Sequence, residues 1–284
     1  MTVSATGCET SGFTVDRAGD YAHAQLANPM SACMLCGGTG LVRTTVTDNG
    51  RTYDTVTSCA RARLGRRSEA FNAAHLPAVH AASTFENWRP GNAEQARAHG
   101  LVKDFALRWP QGRPFIVSGP VGTGKTHRLV AALRPLTLEL GVRAGYVEIS
   151  LLYAQIRRGF QDGKSGGEII GPLSQLDVLA IDELGKGRGS VFELETLDEL
   201  IARRYNANKV TLFATNYSVR APEDRAQRGL IDTAELVAAG KESKLLVDRV
   251  GDRIYSRLCE MCEFVEFPSN TPDARRSPNL RARR

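Results

Sequence analysis

Gly119-Pro-Val-Gly-Thr-Gly-Lys-Thr126 is the stretch that decides how this chain is read. It matches the pattern G-x-x-x-x-G-K-S/T in full. It also sits where that pattern has physical meaning, after the short apolar run Phe115–Ser118 and at the start of a helical stretch from Lys125. The glycines let successive backbone N–H groups turn toward one centre, and the N-terminus of a following helix adds partial positive charge there. Lys125 is spaced to reach the β- and γ-phosphates of ATP, and Thr126 to offer its hydroxyl to Mg²⁺. Gly119, Pro120, Val121, Gly122, Thr123, Gly124, Lys125 and Thr126 are therefore candidate nucleotide-binding residues.

Downstream, Asp177–Asp182 is an apolar strand bounded by carboxylates, and it ends in Asp182-Glu183. In open α/β sheets ligands bind at the C-terminal strand edge, so Asp182 would hold Mg²⁺ and Glu183 would act as general base on the attacking water. Taken alone, Asp-Glu after a strand would read as a helix cap. Val210–Thr215 is a third apolar strand, and Asn216 at its end is placed to orient the water. Around these lie predicted helices at Asn92–Trp109 (capped by Asn92), Lys125–Leu140 (kinked or split by Pro135 and stopped by Gly141), Ser150–Phe160 (capped by Ser150), Glu193–Ala207 and Val247–Met261. Further strands are predicted at Gly145–Ile149 and Phe264–Phe267. Short apolar strands alternating with helices predict an α/β fold, with a parallel central sheet covered on both faces.

Upstream the pattern changes. Residues 1–80 are expected to form a small N-terminal domain, and residues 81–284 a larger one with a basic C-terminal tail. A short helix is expected around Asp16–Leu26. Leu41–Thr47 and Thr52–Thr57, β-branched and separated by Asp48-Asn49-Gly50, predict a hairpin. Cys33 and Cys36 form a C-x₂-C pair before a Gly-Gly-Thr-Gly turn, and Cys59 returns at the end of the hairpin. These three are candidate Zn²⁺ ligands in a zinc-ribbon-like unit, with Cys8, His23, His75 or His80 open as a fourth; the alternative is a hairpin with buried thiols. Cys259 and Cys262 share a helix face and are expected in the core.

The chain of 284 residues is 42% hydrophobic and 24% charged, which suits an ordinary globular protein. It has no run approaching the roughly 18 apolar residues of a membrane helix, and no secretory pattern at its start, so the expected location is cytoplasmic, with no membrane partner. The net charge of +6 is concentrated in Arg61, Arg63, Arg66 and Arg67, and in Arg275, Arg276, Arg281, Arg283 and Arg284. Such clusters attract phosphate backbones, or else are solvated surface.

The motifs in order are Gly119–His127, Asp182-Glu-Leu-Gly185, Arg204-Tyr205, Thr215-Asn-Tyr217 and Gly251-Asp-Arg-Ile-Tyr-Ser-Arg-Leu258. Together, over about residues 83–267, they resemble the bacterial replicative helicase loaders, the DnaC/DnaI-type AAA+ P-loop ATPases. The insertion-sequence helper ATPases of the IstB type share most of them. The resemblance implies an AAA+ fold without a helical lid, ATP hydrolysis with Lys125, Asp182, Glu183 and Asn216 in catalytic roles, and self-association into a ring or spiral. It implies that Arg257, with Arg253 as second candidate, reaches the ATP of a neighbouring subunit; the alternative for Arg257 is a surface salt bridge. It adds His127 beside the nucleotide, and single-stranded DNA contact on Ser150–Gly171 through Tyr153, Arg157, Arg158, Phe160 and Lys164. Leu151, Leu152 and Ile156 there mark an apolar face, so Tyr153 and Phe160 also fit a core. The partner implied is a replicative hexameric DNA helicase, with the cysteine domain holding it. A transposition helper acting on duplex DNA, and a nucleotide-binding adaptor without hydrolysis, are the alternatives.

Overall fold

The computed structural model describes residues 12–27, 33–220 and 245–276. They divide into two compact units. One holds the described residues up to Ala82 together with Thr137–Val142, and the other holds Ser83–Leu136 and the described residues from Arg143 on.

The smaller unit is built from hairpins. β1 (Phe13–Ala18) and β2 (Tyr21–Leu26) pair antiparallel where a helix was expected. Gly19, at φ +59°, turns the chain between them. Ala22 and Ala24 are buried while Tyr21 and Gln25 are exposed, and this period of two is satisfied by a strand. β3 (Leu41–Asp48) and β4 (Arg51–Ser58) form the predicted hairpin about Asn49-Gly50, both at positive φ as a type I′ turn needs. α1 (Ala60–Ala73) follows and carries Arg61, Arg63, Arg66 and Arg67.

The larger unit is a three-layer α/β structure. Its sheet is wholly parallel, in the order β6-β7-β8-β5-β9, with β5 Phe115–Ser118, β6 Ala144–Glu148, β7 Val178–Asp182, β8 Val210–Thr215 and β9 Glu263–Glu266. β5 and β7 are buried along their whole length, as continuous apolar runs require. One face is covered by α4 (Ile149–Gln161), α5 (Gly166–Gln175), α6 (Val191–Asn206), α7 (Leu246–Val250) and α8 (Asp252–Met261), through Leu152, Ile156, Leu197, Leu200, Ile254 and Leu258. α2 (Ala93–Leu107) stacks Phe105 edge-on against Phe115, and α3 (Lys125–Leu138) buries Leu129 and Leu133.

Four local expectations are corrected. The predicted helix Val247–Met261 is two helices, because Gly251 at φ +80° breaks it into α7 and α8. Ser150 does not cap α4; the helix begins at Ile149, and the Ser150 hydroxyl donates to Glu148 Oε1 at 2.6 Å. Leu151 is exposed, so the apolar face of α4 runs through Leu152, Tyr153 and Ile156. Asn92 caps α2 as expected, accepting from the N–H of Gln95, whereas α3 runs through Pro135 as one helix where a kink or split was expected.

Candidate nucleotide-binding site

β5 ends at Ser118, and the chain turns through Gly119–Gly124 into α3. Gly119, Gly122 and Gly124 have φ of +147°, +80° and +86°. A Cβ would lie 2.7 Å from Phe267 at the first, 1.8 Å from the Asp273 carboxylate at the second and 2.8 Å from the Trp88 indole nitrogen at the third. The loop is therefore a close-fitted turn that only glycine fits, as a phosphate cradle requires. Lys125 Nζ donates to the carbonyls of Gly119 at 2.8 Å and Pro120 at 2.7 Å. Burial pushes its pKa down to about 8, so a polyphosphate charge beside it would be strongly favoured.

β7 delivers Asp182 to the same edge. Its Oδ2 accepts from the Thr126 hydroxyl at 2.6 Å and from the Tyr146 hydroxyl at 2.8 Å, and its Oδ1 accepts from the N–H of Glu183 at 2.8 Å. Two hard oxygen donors, one from the first turn of α3 and one from the end of β7, thus converge, which is the donor set Mg²⁺ takes. Burial, reinforced by the Asp182 charge, raises the Tyr146 pKa and keeps that hydroxyl a donor. Glu183 has a left-handed backbone at φ +55° and is ion-paired with Lys186. Burial pushes its carboxyl pKa up, although Lys186 opposes this. Asn216 is exposed one residue beyond β8. The N–H of Gly119 reaches Thr215 O at 3.3 Å and that of Leu184 reaches Ala214 O at 2.9 Å. These bonds bring the loops after β5, β7 and β8 out side by side. A cradle, a cation-binding carboxylate, a second carboxylate and an amide at one sheet edge are the parts that phosphoryl transfer to water uses.

Other expected residues lie apart from this cluster. His127 faces the backbone, with Nε2 2.8 Å from Thr84 O. Arg257 donates to Asp198 Oδ1 at 2.5 Å and is 18% exposed, whereas Arg253 pairs with Asp198 at 3.5 Å and is 76% exposed. On α4, Tyr153 is core while Phe160 is half exposed. Arg157 is paired with the buried Glu193, and Arg158 and Lys164 are exposed.

Two residues of the site were missed in the sequence. Tyr146 carries no local signal, since only strand pairing brings β6 beside β7. Arg128 is a charge inside the apolar stretch of α3, and that was a readable anomaly. Its guanidinium lies 3.6 Å from the centre of the Trp88 ring and donates to the carbonyls of Thr123 and Gly124, both at 3.0 Å. Burial lowers its pKa to about 9. It props the loop from beneath.

In the smaller unit, the Sγ atoms of Cys33, Cys36 and Cys59 lie within 4.8 Å of one another, and those of Cys33 and Cys59 are 3.6 Å apart. Thiolates at about 2.3 Å from a tetrahedral Zn²⁺ stand roughly 3.8 Å apart, so the spacing suits such a metal. His23, His75 and His80 do not join the group, and His23 Nε2 instead meets the Asn72 amide at 3.1 Å. Cys8, Arg281, Arg283 and Arg284 lie outside the described residues. Cys262 is core as expected, but Cys259 is exposed on α8.

Comparison with known proteins places this geometry. The replicative helicase loader DnaC of Escherichia coli K12 is 26% identical over 156 residues, 54% of this chain and 63% of the loader. An uncharacterized protein, YdaV, of the same organism is 27% identical over 157 residues, 55% of this chain and 63% of its own length. The chain therefore spans under two thirds of these curated relatives. A crystal structure of the DnaC helicase loader superimposes with a TM-score of 0.54 at 25% identity, covering 66% of this chain and 98% of that one. AMPPCP-bound DnaA from Aquifex aeolicus, with a TM-score of 0.50 at 22% identity over 65% of this chain and 50% of that one, shares the fold. The larger unit is thus an AAA+ domain. The family model described as IstB-like ATP binding protein matches residues 56–227, more than half of the 284 residues, and the chain belongs to that family.

Proposed function

We propose that this chain is an ATP-hydrolysing loader that delivers a replicative hexameric helicase to single-stranded DNA. The observation that carries the ATPase reading is the chain of hydrogen bonds from Thr126 through Asp182 to Tyr146, which ties the glycine loop to the end of β7. In this reading the loop Gly119–Thr126 holds the phosphates, and Lys125 balances charge on the β- and γ-oxygens. Mg²⁺, held by Thr126 and Asp182, supplies charge neutralisation when bound. Glu183 takes a proton from the water that attacks the γ-phosphorus, while Asn216 orients that water. The bond to the β–γ bridging oxygen breaks, leaving ADP and phosphate. Arg257 or Arg253 of a neighbouring copy would stabilise the developing charge. Asp198 on α6 pairs with both arginines of α8 and holds the two cations together, which suits joint action on a neighbour.

The loader reading is supported by the likeness to the DnaC helicase loader, both in sequence and in a solved structure. It is supported also by the three-thiol group in the N-terminal unit, which we assign to Zn²⁺ in a helicase-holding domain. The family description favours a second reading, an IstB-type helper that assembles on duplex DNA beside a transposase. Fluorescence anisotropy on labelled single- and double-stranded oligonucleotides, with and without a non-hydrolysable ATP analogue, separates them. ATP-dependent preference for single strands is expected. Preference for duplex would replace the loader by the transposition helper, and binding that ignores nucleotide would remove both.

A further inference from the structure

We propose that Tyr146 is a positioning residue of the cation site: its hydroxyl pins the Asp182 carboxylate in one orientation and thereby sets how tightly Mg²⁺ is held beside the nucleotide. This rests on the reading of Thr126 and Asp182 as the residues that hold Mg²⁺.

The register of the sheet explains why a tyrosine is needed. β6 and β7 pair in parallel, with Tyr146 opposite Ala180 and Glu148 opposite Asp182. Tyr146 therefore stands two residues short of Asp182, a rise of about 6.6 Å along the strand. Its phenol spans that gap and donates to Asp182 Oδ2 at 2.8 Å. A serine or threonine in its place would fall short of the carboxylate. Burial, reinforced by the Asp182 charge, keeps the phenol protonated, so the hydroxyl is a standing donor.

Counting acceptor sites shows what the phenol does there. A carboxylate has about four lone-pair sites. On Oδ2 both are taken, one by the Thr126 hydroxyl from α3 and one by the Tyr146 hydroxyl from β6. On Oδ1 the N–H of Glu183 takes one and, among the described residues, leaves one open. Donors on both oxygens, from three separate parts of the chain, hold the group against rotation and keep its open site fixed. Thr126 gives its proton to Asp182 and so keeps its own lone pairs for a cation. Without the phenol, Oδ2 is held by Thr126 alone, and that hydroxyl must serve carboxylate and cation at once. Removing a hydrogen-bond partner behind a metal-binding group costs about 10- to 100-fold in metal affinity.

The test is fluorescence titration of the full chain with an N-methylanthraniloyl derivative of a non-hydrolysable ATP analogue, in EDTA and over a series of Mg²⁺ concentrations. It compares wild type with Tyr146→Phe, Asp182→Asn and the double variant. Tyr146→Phe keeps the ring and removes only the hydroxyl. Its affinity for the nucleotide in EDTA is expected to match wild type, while the Mg²⁺ concentration at half-saturation rises about tenfold. In the Asp182→Asn background the same change should add nothing, because the tyrosine acts through the carboxylate. An unchanged Mg²⁺ half-saturation, a weakening that is equal in EDTA and in Mg²⁺, or an effect that persists beside Asp182→Asn overturns the proposal and leaves Tyr146 a packing residue. A wild-type affinity indifferent to Mg²⁺ overturns the reading of Thr126 and Asp182 as the cation site, and the proposal with it.

Discussion

Arg204 offers the sharpest check on how the larger unit is held together. The side chain is fully buried on the last turn of α6. It donates to the carbonyls of Leu173 at 2.7 Å, Leu176 at 2.9 Å and Val210 at 2.5 Å, and to the Thr211 hydroxyl at 2.9 Å. These partners lie on α5, on the connection into β7 and at the start of β8, so one guanidinium ties the roots of the two strands that end at Asp182 and Thr215. Arg204→Met keeps the length of the side chain and leaves three carbonyls and a hydroxyl without their donor, at about 1–3 kcal/mol each. Part of that is returned because a guanidinium no longer has to be desolvated, a penalty visible in its pKa, which burial lowers to about 10. The net cost is about 3–5 kcal/mol. For a domain of this size that corresponds to a melting transition lowered by roughly 10 °C. Scanning calorimetry of the full chain reads this directly. A shift below about 2 °C would refute the idea that the arginine is an architectural tie.

Two further outcomes are expected. Mixing a Glu183→Gln chain, which keeps its Arg257, with an Arg257→Ala chain, which keeps its site, should restore ATPase activity that neither has alone; if mixing stays silent, Arg257 does not act on a neighbour. The chain purified without chelator should carry about one zinc per molecule by elemental analysis and lose it in Cys59→Ser, whereas a metal content indifferent to that substitution rules out the three-thiol site.

The parallel sheet was legible because its strands are buried on both faces. Phe115–Ser118 and Val210–Thr215 are continuous apolar runs punctuated by polar residues, and both strands were predicted at their observed bounds. The β3–β4 hairpin was legible for a different reason, since Asn49-Gly50 is a turn chemistry few other conformations want. Asp16–Leu26 was misread as a helix because Ala18, Ala22 and Ala24 make up most of its apolar residues, and alanine suits a helix at least as well as a strand. Burial of Ala22 and Ala24, which settles the period, depends on the rest of the smaller unit. Gly251 was visible but ambiguous, since a glycine inside a helical pattern is tolerated as often as it breaks.

The site divides along the same line. Gly119–Thr126 and Asp182-Glu183 could be read because each feature is made by neighbours in sequence: backbone turns, a helix N-terminus and a carboxylate at a strand end. Tyr146 could not be read. Its importance comes from β6 lying beside β7, in the register that sets it two residues short of Asp182. The same reasoning bears on Arg257. A residue that serves another subunit need have no partner in its own site, and Arg257 is instead held by Asp198 and lies over the ring of Tyr205. Tyr205 adjoins Arg204, so the Arg204-Tyr205 motif couples two tasks at the end of α6. Arg204 fixes the strands of the chain's own site, and Tyr205 with Asp198 seats Arg257, the arginine that in the proposed function reaches a neighbour's. Loss of Tyr205 should therefore weaken the mixing complementation while leaving the melting transition nearly unmoved, the reverse of what Arg204→Met does.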